Sequence, residues 1–149
     1  MPILNPYEAE DAIVNRIGDL FAEDMIFTDS DTSQVDNEIF NDIHDDEDKL
    51  AVMVLNAGFR ADPLVGNSRS PSQRLKLLWQ VVVVCPIELY KTHGGVRMME
   101  VAQLLKGYRL STELGIMQLI DDERGFNRPN MEDGTLAYLP VMFSVDTVI

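Results

Sequence analysis

Residues 72–85 decide the fold, and they read SQRLKLLWQVVVVC. Every second residue of this stretch is apolar, and these residues share one face: Leu75, Leu77, Trp79, Val81 and Val83. Lys76 and Gln80 mark part of the other face. Alternation with a period of two is typical of a β-strand that buries one face. The sequence therefore predicts a long strand here.

The upstream neighbour of this strand is residues 50–59, which are rich in β-forming side chains and predict a second strand paired with the first as an extended hairpin. Residues 60–71 between them contain glycine and proline breaks and several small polar residues, and predict a connecting arm. A long loop on a rigid hairpin can reach a partner. We expect it to contact a neighbouring subunit or a tube, and an idle connection is the open alternative. The candidate interface residues are Arg60, Leu64, Val65, Arg69 and Arg74.

A first helix is predicted from Pro6 to about Ala22. Asn5 can cap it, Pro6 suits the first helical position, and Glu8 completes a capping box. One apolar stripe at helical spacing should dock on the sheet: Ala9, Ile13, Ile17, Leu20 and Phe21.

The second half of the chain predicts one more helix and two more strands. Gly94 and Gly95 permit a turn before a helix that Gly107 ends, and Met98, Val101, Ala102 and Leu105 form its buried stripe while Met99 falls off it. Strands follow at 116–120 and 136–149. Pro140 lacks a backbone donor, so the last strand should carry a bulge or lie at a sheet edge there.

These elements predict one α+β domain over residues 1–149, with two helices packed on one face of an antiparallel or mixed sheet of about four to five strands. The mean hydropathy of -0.06 and the short apolar runs predict no membrane span. Residues 1–5 lack the features of an export signal. The single cysteine, Cys85, ends the valine run, and an inert buried thiol in a reducing compartment is expected.

Charge is distributed unevenly along the chain. Residues 1–50 hold 15 of the 25 acidic residues and two of the 12 basic ones, so they account for the whole net charge of -13. A long acidic loop is predicted at 29–48, where Asp45, Asp46, Glu47 and Asp48 form an unbroken run. Direct binding to nucleic acid is disfavoured because the chain offers no cationic footprint for phosphates.

No residue motif strongly indicates an active site, a metal site or a cofactor site. Asp29 and Asp31 have the spacing of a magnesium-dependent phosphatase, but Ser33 and the absence of a following parallel β-α-β series count against it. An EF-hand interpretation of the same aspartates fails, because Gln34 replaces the required glycine and Phe40 the closing glutamate. His44 and His93 have no neighbouring ligands.

Four stretches carry a resemblance to a known family: QRLKLLWQVVVV at 73–84, the glycine-led helix 95–107, DDER at 121–124 and GTLAYLPVMFSV at 134–145. In this order, with Tyr108-Arg109 at the helix exit, they resemble the Mu-type tail terminator family of contractile-tailed phages. The resemblance covers about residues 50–149 and the first helix in outline. Residues 29–48 depart from the family's pattern.

The resemblance implies a structural virion protein without a cofactor, assembled in the host cytoplasm. It implies a homohexameric ring that caps the tail tube protein, stops tube polymerisation and meets the head-side neck connector, with the sheath protein as a further candidate neighbour. Double-stranded DNA would pass through the ring without sequence-specific binding, and an acidic lumen that includes Asp45–Asp48 would repel it. The alternatives are a head-completion or neck adaptor protein of the same virion and, more remotely, the magnesium-dependent phosphatase.

Overall fold

The computed structural model describes Asn5 and residues 7–29, 50–66, 71–111, 114–120, 128–131 and 134–149. Within these residues the α-helices are α1 (Glu8–Ile17) and α2 (Gly95–Leu105). The strands are β1 (Ile26–Thr28), β2 (Ala51–Ala61), β3 (Arg74–Pro86), β4 (Met117–Leu119) and β5 (Leu136–Val148), in the sheet order β1-β2-β3-β5-β4. β1 and β2 are parallel and the other pairs antiparallel. The predicted α+β class is confirmed.

The central strand β3 explains why the valine run is continuous. Trp79, Val81 and Val83 belong to the core that also holds the buried residues of both helices. Val82 and Val84 point to the other face, where they join a smaller apolar cluster with Met25, Phe27, Ala51 and Leu136. Because both faces are covered over residues 81–85, every side chain there is buried, and the alternation is visible only nearer the start of the strand.

The stripe of α1 is buried as predicted, with Ala9, Ile13 and Ile17 at most 2% exposed. The predicted length is wrong, because the helix ends at Ile17 and continues only as a 3₁₀ turn, Gly18–Leu20. The capping box is wrong too, because the helix begins at Glu8 with Tyr7 at the N-cap position and no side-chain cap bond. The Asn5 side-chain oxygen accepts from the Tyr7 backbone N–H at 3.0 Å, one residue before the helix begins.

Two arginines join the helices to each other's ends. Arg16 of α1 donates from Nε to the Leu104 carbonyl oxygen at 3.1 Å, and Arg97 of α2 donates from Nη1 to the Leu20 carbonyl oxygen. Both bonds satisfy carbonyl groups near a helix end, which the helix itself leaves without a partner.

Gly94 has a different role from the predicted one. It lies in a π-helix, Tyr90–Gly94, with a φ of -63° that any residue adopts. A Cβ atom there would lie 2.7 Å from Cys85 Sγ and 2.9 Å from Leu139 Cδ1. The glycine therefore permits close packing of α2 on the sheet, and no turn requires it. Gly107, with a φ of +79°, does follow the end of α2 as predicted.

Pro140 is accommodated without a bulge, in unbroken register with Val82 of β3. The outward groups of β5 bond to Asn130 at Tyr138 and to Ile120 at Met142. Alternate residues of a strand direct their backbone groups to the same side, so the Pro140 nitrogen faces the gap between these two bonds. On one side β5 pairs with β3 along its whole length, so it is not an edge strand there. On its other side the position of Pro140 has no strand beside it among the described residues, as at a sheet edge.

One strand of the sheet is absent from the sequence predictions. β1 has three residues, and its pairing with β2 through Ile26 and Val52 gives it strand geometry. The predicted acidic loop lies outside the described residues except for Asp29, and so do Asp45–Asp48 and Arg69. Neither described α-helix is both long enough and apolar enough to cross a membrane.

Candidate interaction surface

The outer half of the β2–β3 hairpin is largely exposed. β1 covers β2 only from Val52 to Val54, and residues 57–61 of β2 are exposed throughout. On the far side, β4 pairs with only three residues of β5, 143–145. A three-stranded end built from β2, β3 and β5 therefore extends past its neighbours.

A β-bulge sets the faces of this end. The register of β2 on β3 shifts between Asn56, which faces Trp79, and Phe59, which faces Leu77. Gly58 takes a φ of +88° in the bulge and donates to the Asn56 Oδ1 atom at 2.8 Å. One extra residue reverses the facing of every later side chain on the strand. Phe59 is consequently brought to the helix side of the sheet, where it is 64% exposed.

Hydrogen bonds hold the described part of the hairpin tip, residues 62–66 and 71–73. Val65 and Ser72 exchange two backbone bonds of 2.7 Å, and Gln73 Nε2 donates to the Asp62 carbonyl oxygen at 2.7 Å. Gln73 also exchanges two bonds of 3.0 Å with Ile149, which fixes the C-terminal end of β5 beside the tip. Leu64 and Val65 nevertheless stay 68% and 65% exposed.

The predicted interface residues mostly fall on this hairpin. Leu64 and Val65 lie at the tip, and Arg60 and Arg74 are exposed on its strands. Arg60 stands directly opposite Lys76, which in turn faces Asp146 of β5. The structure therefore brings four of the five predicted residues together.

A groove lies on the sheet face opposite the helices. Its volume is about 340 Å³, and it is lined by Met53, Leu55, Gln80, Val82, Arg128, Asn130, Tyr138 and Pro140. Its floor comes from three strands, and Arg128 and Asn130 at its edge are both exposed. Sequence reasoning missed this groove, because no local pattern marks residues that meet only through the sheet register.

A second groove of about 340 Å³ lies beside the start of α2, lined by Leu50, Thr92, His93, Val96, Arg97 and Glu100. Thr92 Oγ1 and His93 Nδ1 lie 3.0 Å apart, and the pair is exposed. Arg97 reaches toward Glu100 at 3.9 Å. The Arg97 guanidinium also donates to the Leu20 carbonyl oxygen, so it is already used in joining the two helices.

Two of the residues considered above as candidates for catalysis, Asp29 and Cys85, have structural roles. Asp29 accepts from the Asn56 backbone N–H through Oδ2 at 2.8 Å, next to the bulge. Burial raises the pKa of the Cys85 thiol to about 11, which makes it a poor nucleophile near neutral pH. Within the described ranges, no three histidine, cysteine, aspartate or glutamate side chains are grouped as metal ligands would be. Asp31 and His44 lie outside those ranges.

No protein-family model matches the sequence. No curated protein is significantly similar to it.

Proposed function

We propose that this protein is a structural subunit that assembles with copies of itself into a ring, and that the ring is the terminator of a phage tail. The observation that carries the proposal is the ordered hairpin end with its exposed apolar side chains. Phe59, Leu64 and Val65 are each more than 60% exposed although hydrogen bonds hold the hairpin in place.

Apolar side chains held rigidly in water favour association, because burying them against a partner releases hydration without a further cost of ordering the chain. Val148 and Ile149 add to the same end of the sheet, at 62% and 63% exposed. An end of a sheet that exposes several large apolar side chains is a candidate interaction site.

The β2 edge adds backbone groups that can pair. Asp62 bonds to Arg74 across the hairpin, so by alternation the N–H and C=O groups of Phe59 and Ala61 point outward. Within the described part of the chain no strand pairs with them, since β1 stops at Thr28 opposite Val54. An open edge invites pairing with another chain.

The terminator role is supported by the resemblance over about residues 50–149 and by a fold of the expected coarse class. In this role the ring caps the tube protein with one face and meets the neck connector with the other. Cyclic association needs no catalytic group, because head-to-tail contacts between identical subunits give a ring when the rotation closes.

The native mass of the purified protein, measured over a range of concentrations, tests the ring. We expect a closed oligomer, and the paired change Leu64→Asp/Val65→Asp should reduce it to monomers. Leu119→Asp is a matched control, because Leu119 is an aliphatic residue on β4, away from the hairpin, and is 45% exposed. A wild-type protein that is monomeric at every concentration would contradict the proposal.

Tail morphology tests the terminator role separately. Particles assembled without the protein should have overlong tails, and adding the wild-type protein should restore a uniform length. Changing Asp45, Asp46 and Asp48 to lysine should slow DNA ejection without preventing assembly, because cations in the lumen would attract phosphates. Unchanged ejection kinetics would contradict the acidic-channel hypothesis alone.

A further inference from the structure

We infer that the hairpin tip of one subunit, Asp62–Val65, docks into the groove on the helix-free face of the next subunit. This inference rests on the proposed self-association and names the surface that receives the tip. The occupant is therefore a second copy of this chain.

The apolar parts of the two surfaces match in character. The tip presents Leu64 and Val65, and the groove offers Met53, Leu55 and Val82 on its floor. Met53 and Leu55 are only half-buried, beside the apolar cluster that closes the rest of this face. Two aliphatic side chains entering the groove would complete the cover of that cluster.

Their charges match as well. Asp62 precedes the apolar residues of the tip, and Arg128 lies on the edge of the groove. Both are exposed, and neither forms an ion pair with another described residue. Docking of the tip would bring this carboxylate and guanidinium within reach, which favours one orientation of the tip over its reverse.

A subunit cannot fill its own groove in this way. Leu55 lies within β2 and Asp62 directly follows it, seven residues later. Extended chain spans about 3.3 Å per residue, or roughly 20 Å here. The bond from the Asp62 N–H to the Arg74 carbonyl oxygen continues the pairing of the two strands past the end of β2. The tip therefore points away from its own groove.

Tip and groove are different surfaces, so each subunit carries one donor and one acceptor. Repetition of such a contact gives a ring or an open chain, and reciprocal exchange of two tips gives a two-fold dimer. This arrangement makes a complementation experiment possible.

The experiment mixes two defective proteins. One carries Leu64→Asp/Val65→Asp in the tip, and the other carries Leu55→Asp in the groove, so that the two altered surfaces repel each other. Each alone should be monomeric. Mixed, they should form a 1:1 dimer, because one intact tip can enter one intact groove and the dimer cannot extend. A mixture that stays monomeric overturns the inference.

Folding of the Leu55→Asp protein is checked by its urea midpoint, and Met53→Asp serves as a second groove variant because Met53 is the other half-buried apolar residue of β2 in the groove. Asp62→Arg and Arg128→Asp should each weaken association at least about twofold at low salt, as expected for an exposed pair. The double variant should recover it. Glu88→Arg, an exposed charge reversal elsewhere, should change nothing.

The outcomes separate this inference from the proposed function. Rings that persist in both the tip and the groove variants would overturn the docking site and leave the ring intact. If the wild-type protein is a dimer and mixing the two variants restores a dimer, the result would support the docking contact and contradict the ring. A wild-type monomer at all concentrations would overturn both.

Discussion

The Asp29 carboxylate accepts a hydrogen bond from the Asn56 backbone N–H at 2.8 Å, across 27 residues of sequence. It joins the end of β1 to the first residue of the β2 bulge. The outward N–H of Asn56 lies just past the last pair between the two strands, Thr28 and Val54. Asp29 thus extends the pairing of β1 by one bond where the strand itself has ended.

Replacing Asp29 tests this role. Asp29→Ala should lower the free energy of unfolding by about 1–2 kcal/mol, because it leaves the Asn56 N–H without its charged acceptor. Asp29→Asn keeps an acceptor oxygen and should cost less. Urea denaturation followed by circular dichroism measures both. If Asp29 were a phosphatase nucleophile, Asp29→Asn would instead abolish magnesium-dependent turnover of a phosphate ester.

Gly94→Ala should destabilise the protein by about 1–3 kcal/mol, because the new methyl group would overlap Cys85 Sγ and Leu139 Cδ1. Gly18→Ala is the matched control. Gly18 has a φ of -59°, and nothing lies within 4 Å of the place that its methyl group would take, so alanine there should stabilise by about 0.4–1 kcal/mol. Adding Cys85→Ala to Gly94→Ala should recover part of the loss, and equal effects of the two glycine changes would refute the packing account.

Stability should fall at alkaline pH because of Cys85. Burial raises its pKa from 9.0 to about 11, so the folded state keeps a thiol proton that the unfolded chain loses. The contribution of the protonated Cys85 thiol to the free energy of unfolding is fully present below pH 9 and is lost as pH rises toward 11. The loss is at most about 2–3 kcal/mol. Urea titrations of wild type and Cys85→Ala at several pH values measure it. A pH dependence that is the same in both proteins would exclude Cys85 as the cause.

Arg60→Glu should stabilise the hairpin. Arg60 and Lys76 are cross-strand partners, and like charges directly opposite each other destabilise a sheet by about 0.2–1 kcal/mol. Arg60→Gln removes the repulsion without adding an attraction and should give about half the gain. Both gains should shrink in about 1 M salt, where exposed charges are screened. A gain in the free energy of unfolding that does not depend on salt would mean that the strand preference of the new residue, and not its charge, is the cause.

The sequence was most informative where the pattern is local. The period of two in β3 and the helical stripes of α1 and α2 predict the right elements, because each pattern is a direct consequence of one face being buried. β1 has only three residues, and its geometry comes from pairing with β2, a partner more than 20 residues away. No window of sequence contains that information.

The candidate surface was predictable in part for the same reason. A long arm between two strands is visible in the sequence, and the structure shows Leu64 and Val65 on it to be exposed. The exposure of Phe59 depends on a bulge, and the groove depends on residues of β2, β3 and β5 meeting through their register. The predicted role of Gly94 was wrong because its reason is a contact with Cys85 and Leu139 that only the folded chain makes.

Trp79 is the single tryptophan of the chain and is fully buried beneath the helices, at 0% exposed. The hairpin tip lies many residues away on the same strand pair. Fluorescence emission should therefore shift when the core opens and stay constant when subunits join. Loss of the native fold and loss of the oligomer can in this way be followed by separate signals in the same sample, without any added dye.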